Sequence, residues 1–332
     1  MAVFILILSI GLFFDKSSSY EQSYNKILAS IDEHSTNDHD VLLLLARTYA
    51  VKYNSDKKSE DKQNLENLLS RLEEKAYLNS DDKIGWGLSF AWDAFGDGTI
   101  NPKETVYTYT TAYAGLAFVD AYEVTNNAHY LEVAQKAART LLDDTCCWRE
   151  GENVSIWYSD QPQDQAGTQY VVHNVNALTV SLLKRLENHG ETFNQTGSLF
   201  SYLLSQRGEH QNLANLPEWN WRYGLMHDNN NDLVHLMFIV EALLQDEKTQ
   251  DLAHHILEEA GKDFFDENSL PLDERKTYGS IGWGPPAYLT YIACQDGFEW
   301  RARQLADYIV SQNRRVDLSR IGDDESSLRK LA

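Results

Sequence analysis

Three cysteines in 332 residues do not make a disulfide framework. Cys146 and Cys147 are adjacent, a spacing that suits neither an ordinary bridge nor a zinc site. Cys294 sits in an apolar run, where a thiol is simply buried, so the cysteines do not point to any redox compartment. Basic residues are also few: 29 Lys and Arg against 50 Asp and Glu leave a formal charge of −21. Such a field repels phosphate backbones and anionic lipid, which argues against nucleic acid as a partner and for a neutral or weakly charged substrate. No P-loop, G-x-G-x-x-G, G-x-S-x-G or H-E-x-x-H motif is present, and no cofactor or metal is expected. Strand-like patterning is nearly missing, with 154–158 the one short candidate.

Long hydrophobic runs are limited to residues 2–14, AVFILILSIGLFF. Thirteen helical residues span roughly 20 Å, short of the ~30 Å hydrocarbon core. The length suits an export signal or short anchor, although no Lys or Arg precedes it and no A-x-A site follows. A buried first helix is the other reading. Export implies an extracytoplasmic protein, with residues 2–14 as a possible membrane tether, residues 20–313 as one domain and a polar tail over 314–332.

What is present is a recurring pair of helices. Residues 41–53, 110–123, 171–187, 232–244 and 286–294 are apolar on nearly every side, which marks helices buried on nearly every side. Each is followed, after a short turn, by an amphipathic partner: 65–76, 130–143, 193–206, 249–265 and 299–310. The buried helices from 110 onward recur every 61, 61 and about 53 residues, a periodicity of stacked or closed helical hairpins. Links between hairpins are long (77–109, 144–170, 207–231 and 266–285), so alternation of short and long links gathers the long ones at one end. They meet where the buried helices begin, at N-termini rich in free N–H groups. One crater lined by Trp, Tyr, His, Asp and Asn is the expected result.

With its inner/outer alternation over residues 40–312, the chain resembles the six-hairpin (α/α)6-toroid superfamily of carbohydrate-active proteins. The loop motifs Gly85-Trp86-Gly87 with Trp92-Asp93, His173-Asn174-Val175-Asn176, Asp232-Leu233-Val234-His235 and Gly282-Trp283-Gly284 carry the rest of the likeness. That group includes glycoside hydrolases, polysaccharide lyases, sugar epimerases and the helical domain of glucuronyl C5-epimerases. The resemblance implies an all-α toroid, complete or incomplete since five hairpins are clear, and an oligo- or polysaccharide partner.

Candidate chemistry follows from the crater motifs. Trp86 and Trp283, each between two glycines, offer an indole face for a sugar or a hydrophobic plug for the ring. Asp93, beside Trp92, is a carboxylate whose aromatic surroundings favour a general acid; Asp97 in Gly-Asp-Gly is turn chemistry. His173, Asn174 and Asn176 open the third buried helix as a proton shuttle with two amides, or as packing and capping groups. Asp232 and His235 share a helical face at the start of the fourth, with Asp228 in reserve. Trp219, Trp221 and Arg222 form a candidate sugar platform with one cation, and Tyr158, Asp160 and Tyr278 are rim candidates. A glycoside hydrolase using Asp93 and Asp232 is the leading reading. A lyase or uronate epimerase with His173, His235 or Tyr278 as base is a second. A non-catalytic glycan-binding protein of an exopolysaccharide system is a third.

Overall fold

The structure, a computed structural model, describes residues 39–208, 217–227, 231–272, 284–292 and 297–311. The apolar run 2–14, Asp228, Tyr278, Trp283, Cys294 and the polar tail lie outside these residues.

Among the described residues ten α-helices form five hairpins. They are α1 (His39–Asp56) with α2 (Ser59–Glu74), α3 (Thr108–Thr125) with α4 (Ala128–Asp143), and α5 (His173–Asn188) with α6 (Thr196–Ser205). Then follow α7 (Leu233–Leu244) with α8 (Gln250–Asp263) and α9 (Gly284–Ile292) with α10 (Glu299–Ser311). The odd-numbered helices pack side by side in chain order and form the inner layer. Their composition explains why. On α3 every residue from Thr110 to Val119 is buried, so no face remains for water. The outer helices bury a single stripe, such as Leu65, Leu68, Leu69 and Leu72 of α2 or Tyr130, Val133, Ala134, Ala137 and Leu141 of α4. Close approach of inner helices needs a small residue: a Cβ at Gly115 would lie 2.5 Å from Leu182 Cδ2 of α5.

Turns within hairpins are short and locally encoded. After α3 the chain reverses at Asn126, left-handed with φ 59°, whose N–H returns to Tyr122 O. Asn127 then caps α4 by accepting the His129 N–H at 3.2 Å.

Two small antiparallel hairpins decorate the connectors: β1 (Leu78–Asn79) with β2 (Ile84–Gly85), and β3 (Cys146–Glu150) with β4 (Asn153–Ile156). The expected strand at 154–158 is therefore present at its start, and its partner begins with the two adjacent cysteines. Three of the long connectors converge. Tyr107 bridges to Ser159 and Val172 to Gly224, so the entries to α3, α5 and α7 are laced together at one end of the helices.

Candidate active site

Asp232 precedes the first turn of α7 and is its N-cap, accepting the N–H groups of Val234 at 2.9 Å and His235 at 3.1 Å. Its second oxygen lies 2.7 Å from His235 Nδ1. A carboxylate accepts only, so Nδ1 carries the proton and Nε2 is the basic nitrogen of the neutral ring. Side-chain exposures of 18 % for His235 and 14 % for Asp232 keep the pair enclosed yet in touch with solvent. Aromatic edges and faces close around it. Tyr223 meets His235 edge-on at 5.0 Å, and Phe238, one turn deeper, lies at 5.9 Å. Phe238 in turn packs on Tyr109 and Tyr113 of α3 at 6.2 and 5.8 Å.

Outward from Tyr223 the aromatic contacts continue across the connectors. Tyr223 touches His227, His227 stacks on Phe95 at 5.5 Å, and Phe95 meets Tyr158 and Tyr170 edge-on at 4.9 Å each. Trp92 joins through Tyr107 and Tyr158. Edge-to-face geometry is how aromatic rings pack on one another, and here it ties connectors 77–107, 144–172 and 217–231 into one mouth. The carboxyls of these connectors are tuned apart. Hydrogen bonds from Thr99, side chain then backbone, together with one from Tyr170, hold Asp97 below the ordinary carboxylate range. Burial pushes Asp164 up against the opposing hydrogen bonds of Ser159 at 2.5 Å and Asn101 at 2.7 Å. Burial also raises Asp160, with Gln161 opposing. The Tyr158 phenol is raised well above its usual range by burial, then by neighbouring phenols and Asp164.

Several residues singled out from the sequence stand elsewhere than expected. Trp86 and Trp221 are wholly buried and are packing groups rather than sugar platforms. Each indole N–H donates at 2.7 Å to a carbonyl in the last turn of an outer helix, Trp86 to Leu72 and Trp221 to Leu203, satisfying groups a helix end leaves open. The flanking glycines serve backbone approach, not indole exposure: a Cβ at Gly87 would fall 1.6 Å from Thr105 O. His173 is buried with its ring edge-on to Tyr202 of α6, away from the mouth. Asn176 is turned the same way, donating to Leu199 O at 3.1 Å. Asn174 donates to Asn231 Oδ1, and Asn231 grips the carbonyls of Trp221 and Arg222, so both amides hold a connector in place. Asp93 is turned into its own loop, accepting the N–H groups of Asp97 at 3.2 Å and Gly98 at 3.0 Å. Arg222 reaches Leu225 O at 3.4 Å, and Trp219 is half-buried against the core. Trp92, half-buried in the aromatic mouth, the buried Tyr158 and, through His235, the Asp232–His235 pair are expected residues that the structure joins in one aromatic network. Among the described residues no group of three His, Cys, Asp or Glu side chains comes together to hold a metal ion.

No protein-family profile matches the chain, and no curated protein matches it in sequence. Solved structures do. The chain superposes on a family 76 α-mannanase of Bacteroides thetaiotaomicron with a TM-score of 0.61 at 15 % identity, covering 87 % of this chain and 82 % of that one. A D-mannose isomerase gives 0.61 at 13 % identity over 91 % and 86 %. The cellobiose 2-epimerase of Bacillus thermoamylovorans gives 0.59 at 10 % identity over 93 % and 86 %. The fold is the (α/α)6 toroid.

Below the mouth, the axis of the toroid holds a buried ion network that no sequence motif announces. Arg47 of α1 donates from Nε to Asp120 of α3 at 2.7 Å and from Nη2 to Glu241 of α7 at 2.7 Å. Arg185 of α5 bonds Asp120 and Glu123, each at 2.5 Å, and Tyr291 of α9 donates to Glu241 at 2.9 Å. Every described inner helix contributes. Burial alone lifts the Asp120 carboxyl, but Arg47 and Arg185 outweigh it and hold Asp120 below its ordinary value. Burial likewise disfavours the charged Arg47, yet Asp120 and Glu241 keep it firmly protonated. One signal was available: Arg47 and Glu241 are single charges within the apolar runs 41–51 and 236–244, where a charge stays buried only when paired.

Proposed function

We propose that the protein is a carbohydrate-processing enzyme whose acid–base group is the Asp232–His235 pair. The observation that carries this reading is the 2.7 Å contact between Asp232 and His235 Nδ1, inside an aromatic mouth. Asp232 fixes the tautomer and stabilises the imidazolium that forms when Nε2 takes a proton. Tyr109, Trp92 and Tyr223, each half-buried, supply ring surface for the C–H faces of a sugar. Toroids of this form that resemble the chain include mannose isomerase, cellobiose epimerase and mannanases. Proton transfer at a sugar carbon is the reaction this pair suits, as in an isomerase, epimerase or lyase.

Hydrolysis of a glycosidic bond is the second reading. It requires two carboxyls of unlike proton affinity near each other, and the connectors offer a contrast in direction. Asp164 is pushed up by burial and, against opposing hydrogen bonds, also by Asp97, while Asp97 is held down by its own hydrogen bonds. An oligo- or polysaccharide substrate and an extracytoplasmic location, with residues 2–14 as signal or tether, complete the proposal. No described helix is long and apolar enough to cross a membrane.

The deciding experiment incubates the full chain in D2O with mannose, cellobiose, an α-1,6-mannan and a uronate polymer. Deuterium entering a sugar C–H position, lost in His235→Gln, is the expected outcome. New reducing ends with neither carbon-bound deuterium nor the absorbance of an unsaturated uronate would transfer the assignment to hydrolysis. Turnover unchanged in both His235→Gln and Asp232→Asn would end the proposal.

A further inference from the structure

On α7, His235, Phe238 and Glu241 follow at intervals of three residues and share one face. That face carries the pair at the mouth, an aromatic ring in the middle and a buried carboxylate below. Glu241 is gripped from both sides. Arg47 of α1 approaches it with two nitrogens, Nη2 at 2.7 Å from Oε1 and Nη1 at 3.3 Å from Oε2, while Tyr291 of α9 donates to Oε2 at 2.9 Å. A two-pronged guanidinium contact fixes the plane of a carboxylate as well as its distance. The same guanidinium is anchored independently by Asp120 and lies over the Tyr113 ring, 4.9 Å from its centroid. Tyr113 packs on Phe238, and Phe238 packs on His235. Arg47 therefore reaches the face of His235 by two routes, through Glu241 and through Tyr113 and Phe238. Side chains turn about 100° per residue around a helix, so a small rotation of α7 carries His235 sideways out of the mouth.

We propose that Arg47 is a positioning residue for the Asp232–His235 pair, setting the rotation of α7 by clamping Glu241. The inference rests on that pair being the acid–base group, and its test is built so that the two can fail separately.

The full chain is labelled with 15N-histidine, and the His235 ring signals are assigned by their loss in His235→Gln. Arg47→Met, Arg47→Lys and Glu241→Gln are compared with Lys184→Met. The last breaks a different ion pair, between Lys184 of α5 and Asp246 in the turn after α7, at 2.7 Å. Arg47→Met and Glu241→Gln are expected to displace the His235 signals, and Arg47→Lys to restore them in part. Lys184→Met is expected to lower the melting temperature while leaving them in place. On a substrate that the wild type turns over, Arg47→Met is expected to lower kcat about a hundredfold with KM nearly unchanged, the scale of a misplacement of about 1 Å. Should Arg47→Met not fold, Glu241→Gln carries the test. His235 signals that coincide with wild type in folded Arg47→Met or Glu241→Gln overturn the proposal, as does an equal displacement in Lys184→Met. Full activity in His235→Gln would refute the acid–base reading alone, because the histidine signals still report whether Arg47 positions the ring.

Discussion

Asp120 and Asp232 are both carboxylates on inner helices, and they keep different company. Asp120, in the axial network, faces two guanidinium groups that stay charged at every pH a protein survives. Asp232, at the mouth, faces two backbone N–H groups and an imidazole, the side chain whose charge changes near neutrality. The first arrangement holds helices together and has no proton to move. The second includes an imidazole, a group able to take and give a proton. On the proposed reading one toroid uses enclosed charge for cohesion and for chemistry, and the partner, not the carboxylate, decides which.

The sharpest test of that contrast is at the mouth. His235→Gln is expected to cost about 10²–10⁴-fold in turnover, the usual contribution of a positioned acid–base group, with a melting temperature near wild type. Asp120→Asn and Trp86→Ala should cost stability first. Asp120→Asn leaves two buried arginines short of a partner and is expected to cost about 3–5 kcal/mol in denaturant unfolding. Trp86→Ala, which empties a fully buried site and frees the Leu72 carbonyl, should cost a similar 3–5 kcal/mol. If Trp86→Ala abolished turnover in a folded protein, the division between cohesion and chemistry would fail.

A pH series sharpens the same point. The folded-state pKa of Asp120 is depressed, so its contribution is present above its ordinary 3.8 and is lost as pH falls through the lower folded value. Asp164 has the opposite sign. Its folded pKa is raised, so folding favours the protonated form, and stability drains away as pH climbs from 3.8 through the raised value. Acid unfolding of Asp120→Asn should therefore be flatter than wild type below about pH 4, whereas Asp164→Asn should flatten the curve above it. The smallest expected effect is at the α3–α4 turn, where Asn127→Ala removes a cap worth about 1 kcal/mol and leaves turnover untouched.

The hairpins were legible because burial leaves a mark on periodicity. Apolar on all sides means inner, apolar on one stripe means outer, and the described helices follow that rule from α1 to α10. Convergence of the connectors followed from link length alone. Individual sites were harder. His173 and His235 both open inner helices and look equivalent in sequence, yet one faces Tyr202 of an outer helix and the other faces Tyr223 at the mouth. They occupy the first and third positions of their helices, and two residues of rotation separate a wall from a cavity. Trp86 and Trp221 misled for a related reason. Flanking glycines suggest an open indole at Trp86, but Gly87 answers a backbone contact with Thr105 that no local pattern records.

The sequence by itself determined the five hairpins seen among the described residues, which helix of each pair lies inside and which end gathers the long connectors, because all three follow from hydrophobic spacing and chain length. Tertiary structure alone decided which distant side chains meet: Arg47 with Asp120 and Glu241 across residues far apart in the chain, and the aromatic rings from separate connectors that surround the local Asp232–His235 pair. Pairing depends on helix rotation and on neighbours brought in from elsewhere, and neither quantity is written in the periodicity of a single segment.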